Sequence, residues 1–147
     1  MAVPDRLERR IEVGAPRERV WSALTEPAEL LRWFPTREAE VDLRVGGEMR
    51  FTWDESADEA VIVVLEPPER FVFRWRPEGR DRPHTTVEIT LREIPGGSEV
   101  ILAESGFASL PDEIHEHSYE GNLQGWAEEL AELQAYMGAP RPAEERT

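Results

Sequence analysis

The chain has 147 residues, 31 acidic and 17 basic, a formal net charge of −14 and no cysteine. Its length suits one domain, able to bury about 68–70% of its unfolded surface, and the missing thiols exclude disulfides and cysteine-ligated metal centres. So acidic a chain repels phosphate backbones and anionic lipid, so neither nucleic acid nor a membrane is expected as a partner.

No apolar run approaches the roughly 20 residues needed to cross a bilayer, and residues 1–10 lack the apolar stretch of a signal peptide. A soluble, cytoplasmic protein is the expectation. Residues 1–138 read as a single domain, and residues 139–147 as a flexible, Pro-rich and charged tail.

Residues 7–13 are expected as a first strand. Pro16 then suits the first turn of a helix, with Val20, Trp21 and Leu24 at helical spacing. Pro27 interrupts that helix, and residues 28–34 form a short second one, stopped by Pro35. After Thr36 the period falls to two. Val41, Leu43 and Val45 alternate with polar residues up to a hairpin at Gly46-Gly47, and Met49, Phe51 and Trp53 line one face of the next strand. Residues 60–65 are a solid apolar run.

Phe71, Phe73 and Trp75 alternate with Arg70, Arg74 and Arg76, whose partners are expected to be Glu88 or Glu99 across the sheet. Thr85, Val87, Ile89 and Leu91 continue the pattern, and Pro95-Gly96-Gly97 turns into a last strand carrying Val100 and Leu102. From Asp112 the period returns to 3.6. Tyr119, Leu123, Trp126, Leu130, Leu133 and Met137 share one stripe, with Glu128, Glu129 and Glu132 largely off it.

A helix over residues 112–137 would be about 39 Å long at 1.5 Å per residue. It is the only element able to cover the apolar face of an antiparallel sheet. The expected class is α+β: a curved antiparallel sheet of about 6–7 strands, two short helices after the first strand, and a long C-terminal helix across the concave face.

Four stretches, in order, carry a family resemblance: Val20-Trp21-Ser22-Ala23-Leu24-Thr25 continuing to Trp33-Phe34; Asp42-Leu43-Arg44-Val45-Gly46-Gly47; Val64-Leu65-Glu66-Pro67-Pro68-Glu69-Arg70 with Phe73-Arg74-Trp75; and Gly125-Trp126 with Leu130 and Leu133. Over roughly residues 7–137 the chain resembles the SRPBCC superfamily of START-like helix-grip domains, in the branch of the activator of Hsp90 ATPase (Aha1-like). The resemblance implies a cavity between the sheet and the C-terminal helix. Hsp90 co-chaperones of the branch carry an additional N-terminal domain. This chain begins at its first strand, so co-chaperone activity is not expected.

The aromatics Phe51, Trp53, Phe73, Trp75 and Trp126 fall on opposing faces, either as plain core or as the walls of a ligand cavity. Trp33, Phe34, Met49, Val87, Ile89, Leu102, Phe107, Tyr119 and Leu123 complete the candidate ligand-binding set. Glu104 follows Val100 and Leu102 at period two, which puts it on the apolar face near a cavity mouth. There it would orient a polar ligand group, serve as a general base, or stand in water. Arg32 and Arg37 are expected near that mouth, holding Glu104 ionised.

His115-Glu116-His117 does not make a metal site, because residues two apart on a helix point about 200° from each other. No phosphate loop, nucleophile elbow or thiol is present. The expected function is binding of a small apolar or amphipathic molecule by a monomer or homodimer, with no metal or cofactor and no reaction of its own. The alternatives are a cyclase, hydratase or lyase using a cavity carboxylate, and a module that recognises a partner protein.

Overall fold

A computed structural model describes residues 5–34, 37–52, 57–76, 85–109 and 112–138, with side chains throughout except at 76, 109 and 112–120. Strand β1 (Arg6–Val13) leads to helices α1 (Arg17–Thr25) and α2 (Pro27–Trp33). Six strands follow: β2 (Glu38–Val41), β3 (Glu48–Thr52), β4 (Ala57–Glu66), β5 (Arg70–Arg76), β6 (Thr86–Ile94) and β7 (Gly97–Ser105). A 3-10 turn (Phe107–Ser109) then precedes α3 (Asp112–Met137). The strands form one antiparallel sheet in the order β1-β7-β6-β5-β4-β3-β2. The first strand thus lies beside the last, with β1 and β2 at the edges. No helix among the described residues is long and apolar enough to cross a membrane.

Register fixes which side chains share a face, because residues directly opposite on paired strands point the same way. Val100, Leu102 and Glu104 of β7 face Ile11, Arg9 and Leu7 of β1 and Leu91, Ile89 and Val87 of β6. Phe71 and Phe73 of β5 lie opposite Ile89 and Val87. On the far side, Met49 pairs with Ala60, and Ala60 with Trp75. The register slips between Ile62 and Val64, so Val63 is the extra residue of a bulge. It turns outward, 40% exposed.

The concave face is covered as the 3.6-residue stripe anticipates. Trp126, Leu130 and Leu133 of α3 are buried, and Leu123 and Met137 pack partly against the core. Full burial of each large side chain contributes about 1.5–3 kcal/mol. Helix α3 lies on β1 and touches α2 and the 3-10 turn. Its last turn is tied back by Gly14 N–H donating to the Gly138 carbonyl at 2.7 Å and by Gln134 Nε2 donating to the Glu12 carbonyl at 2.8 Å. The three helices also meet at a polar clasp. Arg19 and the Tyr136 hydroxyl both donate to Glu29, holding its carboxyl below the usual range, the Tyr136 bond first among the causes.

Two sequence readings are corrected. The strand expected to run through Val45 stops at Val41, leaving Leu43 and Val45 in solvent, 44% and 61% exposed. The cause is a compact turn in which Arg44 N–H donates to the Asp42 carbonyl at 2.8 Å and Gly47 N–H to the Arg44 carbonyl at 2.9 Å. Gly46 takes φ +84°, and a Cβ at Gly47 would sit 2.0 Å from the Asp42 carbonyl oxygen, so the turn requires both glycines. Glu129 also lies on the inner side of α3, half-buried between Trp126 and Leu133.

The arginine row behaves as expected at Arg70, whose Nε donates to Glu88 at 2.5 Å. Glu99 pairs instead with Arg92 at 3.4 Å and Arg10 at 3.9 Å.

Candidate functional site

The site grows from one buried carboxylate. Glu104 sits two residues past Leu102 near the end of β7 and is fully buried, 0% exposed, rather than at a solvated mouth. A carboxylate taken out of water requires several donors, and three residues on two segments supply them. Trp126 Nε1 donates to Oε1 at 2.8 Å. Asn122 Nδ2 reaches Oε1 at 3.0 Å and Oε2 at 3.2 Å. The hydroxyl of Thr85, just before β6, donates to Oε2.

Asn122 and Trp126 are four apart on α3, hence one above the other on the face turned to the sheet. Thr85 is held in place by its own carbonyl, which accepts from Trp75 N–H at 2.9 Å. Among the described residues every hydrogen bond to Glu104 comes from a neutral group, and the expected Arg32 acts on Glu29 instead. Burial therefore prevails and pushes the Glu104 carboxyl up, against the lowering pull of Thr85, Trp126 and Asn122.

A second carboxyl stands one turn further along α3. Burial, then the charges of Glu132, Glu104 and Glu128, push Glu129 up to about 8. Two carboxyls that resist ionisation thus lie between sheet and helix, Glu104 from β7, saturated with donors, and Glu129 from α3, without a hydrogen-bond partner among the described residues.

A connected run of aromatic rings lies in the same core. Phe34 meets Phe51 at 5.3 Å between centroids, Phe51 meets Trp75 at 5.8 Å, and Trp75 meets Phe73 at 5.2 Å with perpendicular rings. Phe73 continues to Phe71 at 5.4 Å and Phe71 to Trp21 at 5.8 Å. Trp33 stacks edge-on to Phe34, and its Nε1 donates to the Ala23 carbonyl at 2.8 Å. Edge-to-face contacts of this kind add about 0.5–1.5 kcal/mol each beyond area burial.

Of the residues expected to line a site, Trp33, Phe34, Met49, Phe51, Phe73 and Val87 are buried. So are Ile89, Leu102, Glu104, Phe107 and Trp126. Trp75 and Leu123 are only half-buried, at the rim of the same core. Trp53 and the side chain of Tyr119 lie outside the described residues, as do the side chains of His115 and His117. No cluster able to hold a metal ion occurs among the described residues. Thr85, Asn122 and Glu129 were not singled out by the sequence. Asn122 carried a signal, its place four residues before Trp126.

The family model described as Activator of Hsp90 ATPase homolog 1-like protein matches residues 14–138. No curated protein matches the chain. Among solved structures, MLL2253 from Mesorhizobium loti superposes with a TM-score of 0.78 at 22% identity, over 88% of this chain and 94% of that one. CalU16 from Micromonospora echinospora gives 0.70 at 28% identity, over 96% and 79%. The Aha1 dimer from Colwellia psychrerythraea gives 0.76 at 20% identity, over 90% and 95%. With the Trp21, Trp33-Phe34 and Trp126 stretches all inside the matched region, the chain belongs to the Activator of Hsp90 ATPase homolog 1-like family, a helix-grip domain of the SRPBCC type.

Proposed function

We propose that this domain binds a small apolar or amphipathic molecule between the concave face of the sheet and α3, without a reaction of its own. The observation that carries the proposal is the series of edge-to-face rings from Phe34 through Phe51 to Phe73, in which the linking ring, Trp75, stands half-buried at the rim. A core built only for packing gains nothing from leaving a large indole partly in water. A ligand resting on that ring would finish its burial, and recognition sites are mostly apolar surfaces with a few placed polar groups. The helix-grip fold supports the same location. The Colwellia psychrerythraea relative is a dimer, and either a monomer or a homodimer is compatible with this mode of binding.

The test is a thermal-shift and tryptophan-fluorescence titration with 1-anilinonaphthalene-8-sulfonate and with medium-chain fatty acids. A binder at a hundred times its Kd stabilises the domain by about 2.7 kcal/mol, and Trp75→Ala should lose most of that gain. No shift with any of these ligands, or an undiminished shift in Trp75→Ala, would refute the proposal.

A second reading, acid–base catalysis, is favoured by one observation: burial and neighbouring carboxylates push Glu129 up to about 8 without a hydrogen-bond partner among the described residues. It predicts turnover that Glu129→Gln abolishes, whereas simple binding survives that change.

A further inference from the structure

Asn122, Glu129 and Tyr136 follow one another at intervals of seven, which in an α-helix sets them in one row with a drift of about 20° per step. Both ends of the row are tied. Asn122 donates to Glu104 of β7 at 3.0 and 3.2 Å, and the Tyr136 hydroxyl donates to Glu29 of α2. Glu129 emerges between these two contacts, towards the space that the sheet, α2 and α3 enclose. It is half-buried there, and no side chain among the described residues donates to it. The charges that act on it are all carboxylates, those of Glu132, Glu104 and Glu128. Arg9, on the β1 side of the helix, reaches the Leu123 carbonyl at 3.5 Å instead, and Arg32 acts on Glu29.

The helix is bare beside this carboxyl. Gly125 precedes Glu129 by four residues, one turn away on the same side. It is partly buried, yet a Cβ built on it would meet nothing within 4 Å. Room is left next to α3 at a point that the surrounding chain already shelters. Glycine inside a helix and an unsatisfied carboxyl under cover both cost stability. A helix made only to close the core would carry neither.

A carboxyl in this place discriminates between ligand heads. An anionic head would bring one more like charge to Glu129 and its acidic neighbours, and a neutral head would leave the excess uncompensated. An ammonium would donate to Glu129 and supply the missing positive charge in one contact, and charge-assisted hydrogen bonds of this kind are the strong ones.

Resting on the binding reading above, we propose that the ligand is a cationic amphiphile, an amine on an apolar body, whose ammonium group donates to Glu129 beside Gly125. Its apolar part lies between α3 and the sheet. Glu104, saturated by Thr85, Asn122 and Trp126, remains a fastening of the fold and takes no part.

The test is isothermal titration calorimetry of the full chain at pH 8 with octylamine, octanol and octanoate, which share one alkyl chain and differ in the head. Octylamine, whose ammonium keeps its proton at that pH as lysine does, should bind about tenfold more tightly than octanol, the gain of one hydrogen bond to a charged group. Octanoate should bind more weakly than either. Glu129→Gln should bring octylamine to the level of octanol and leave the octanol Kd unchanged, which also shows that the variant folds. Glu93→Gln, which removes an exposed carboxylate at the end of β6, should keep the preference intact. Gly125→Leu, which fills the open side of the helix, should weaken all three ligands.

Equal affinity for octylamine and octanol would overturn the proposal and leave the apolar site standing, whereas no binding of any of the three, alcohol included, would count against the apolar site as well. A preference for octylamine that survives Glu129→Gln, or that Glu93→Gln also removes, would trace it to net charge and overturn the proposal. So would unaltered binding by Gly125→Leu.

Discussion

Replacing Glu104 tests whether one carboxylate fastens the terminal helix to the sheet. Glu104→Ala strands three donors in the interior: the Thr85 hydroxyl, the Asn122 amide and the Trp126 indole N–H. A buried donor without an acceptor costs about 1–3 kcal/mol. Against that, the variant no longer has to hold a carboxyl away from water, which offsets part of the loss. A net destabilisation of about 3 kcal/mol follows, on the order of a large core truncation. Glu104→Gln keeps the shape and one acceptor oxygen but aims an amide N–H₂ at other donors, and should lose about 1–2 kcal/mol.

The pH dependence has a definite sign. Burial raises the folded-state pKa of Glu104 above its ordinary value of 4.5. The native state therefore holds its proton more tightly than the unfolded chain, and the group's contribution to stability falls as pH rises through that window. The gap between wild type and Glu104→Gln should accordingly narrow from pH 5 towards pH 8. Urea unfolding followed by tryptophan fluorescence at several pH values measures both quantities. A loss below about 1 kcal/mol for Glu104→Ala, or a gap that widens with pH, would refute the reasoning.

Glu129→Gln should stabilise the domain at pH 8 and much less at pH 5, because the folded pKa of about 8 lies above the ordinary value of 4.5. Even a rise half that large corresponds to roughly 2 kcal/mol, and urea unfolding at the two pH values checks it. Trp126→Phe keeps an aromatic ring but removes the N–H that reaches Glu104, and should cost about 1–2 kcal/mol. Trp126→Ala should cost about 3–5 kcal/mol in the same assay. Gly97→Ala would bring a Cβ to 1.8 Å from the Val13 carbonyl oxygen. Strand β1 would have to move, and thermal unfolding should register at least about 2 kcal/mol of destabilisation.

The sheet and α3 were legible because their side chains obey two clean periods. Val100, Leu102 and Glu104 alternate, and Trp126, Leu130 and Leu133 recur every three or four residues. That alternation put Glu104 on the inner face, but no local rule reveals how deep a residue lies. Its depth depends on Thr85 and Asn122, which come from segments that meet only in the folded chain. Glu129 was misplaced for the opposite reason. A glutamate among glutamates reads as solvated, and the stripe it shares with Asn122, Trp126 and Leu133 is visible only once Trp126 is known to point inward. The turn before β3 failed on local chemistry. Val41, Leu43 and Val45 keep strict alternation, yet the Asp42–Arg44 hydrogen bond and the crowded Gly47 turn the chain four residues early.

The pairing of the first strand with the last has a consequence for how this chain comes into being. Arg6 finds Ser105 and Val13 finds Ser98, so β1 must wait, unpaired, through the synthesis of nearly everything that follows. Closing so long a loop before any contact rewards it places the domain among slow folders, on the millisecond-to-second scale. When β7 emerges the sheet can zip together, but its apolar face is still bare. The cover, the 26-residue α3, is made only after β7. A nascent chain stalled between those two events would display Phe51, Phe73 and Trp75 to the cytosol of whichever cell makes it, the kind of intermediate that chaperones must shield from aggregation.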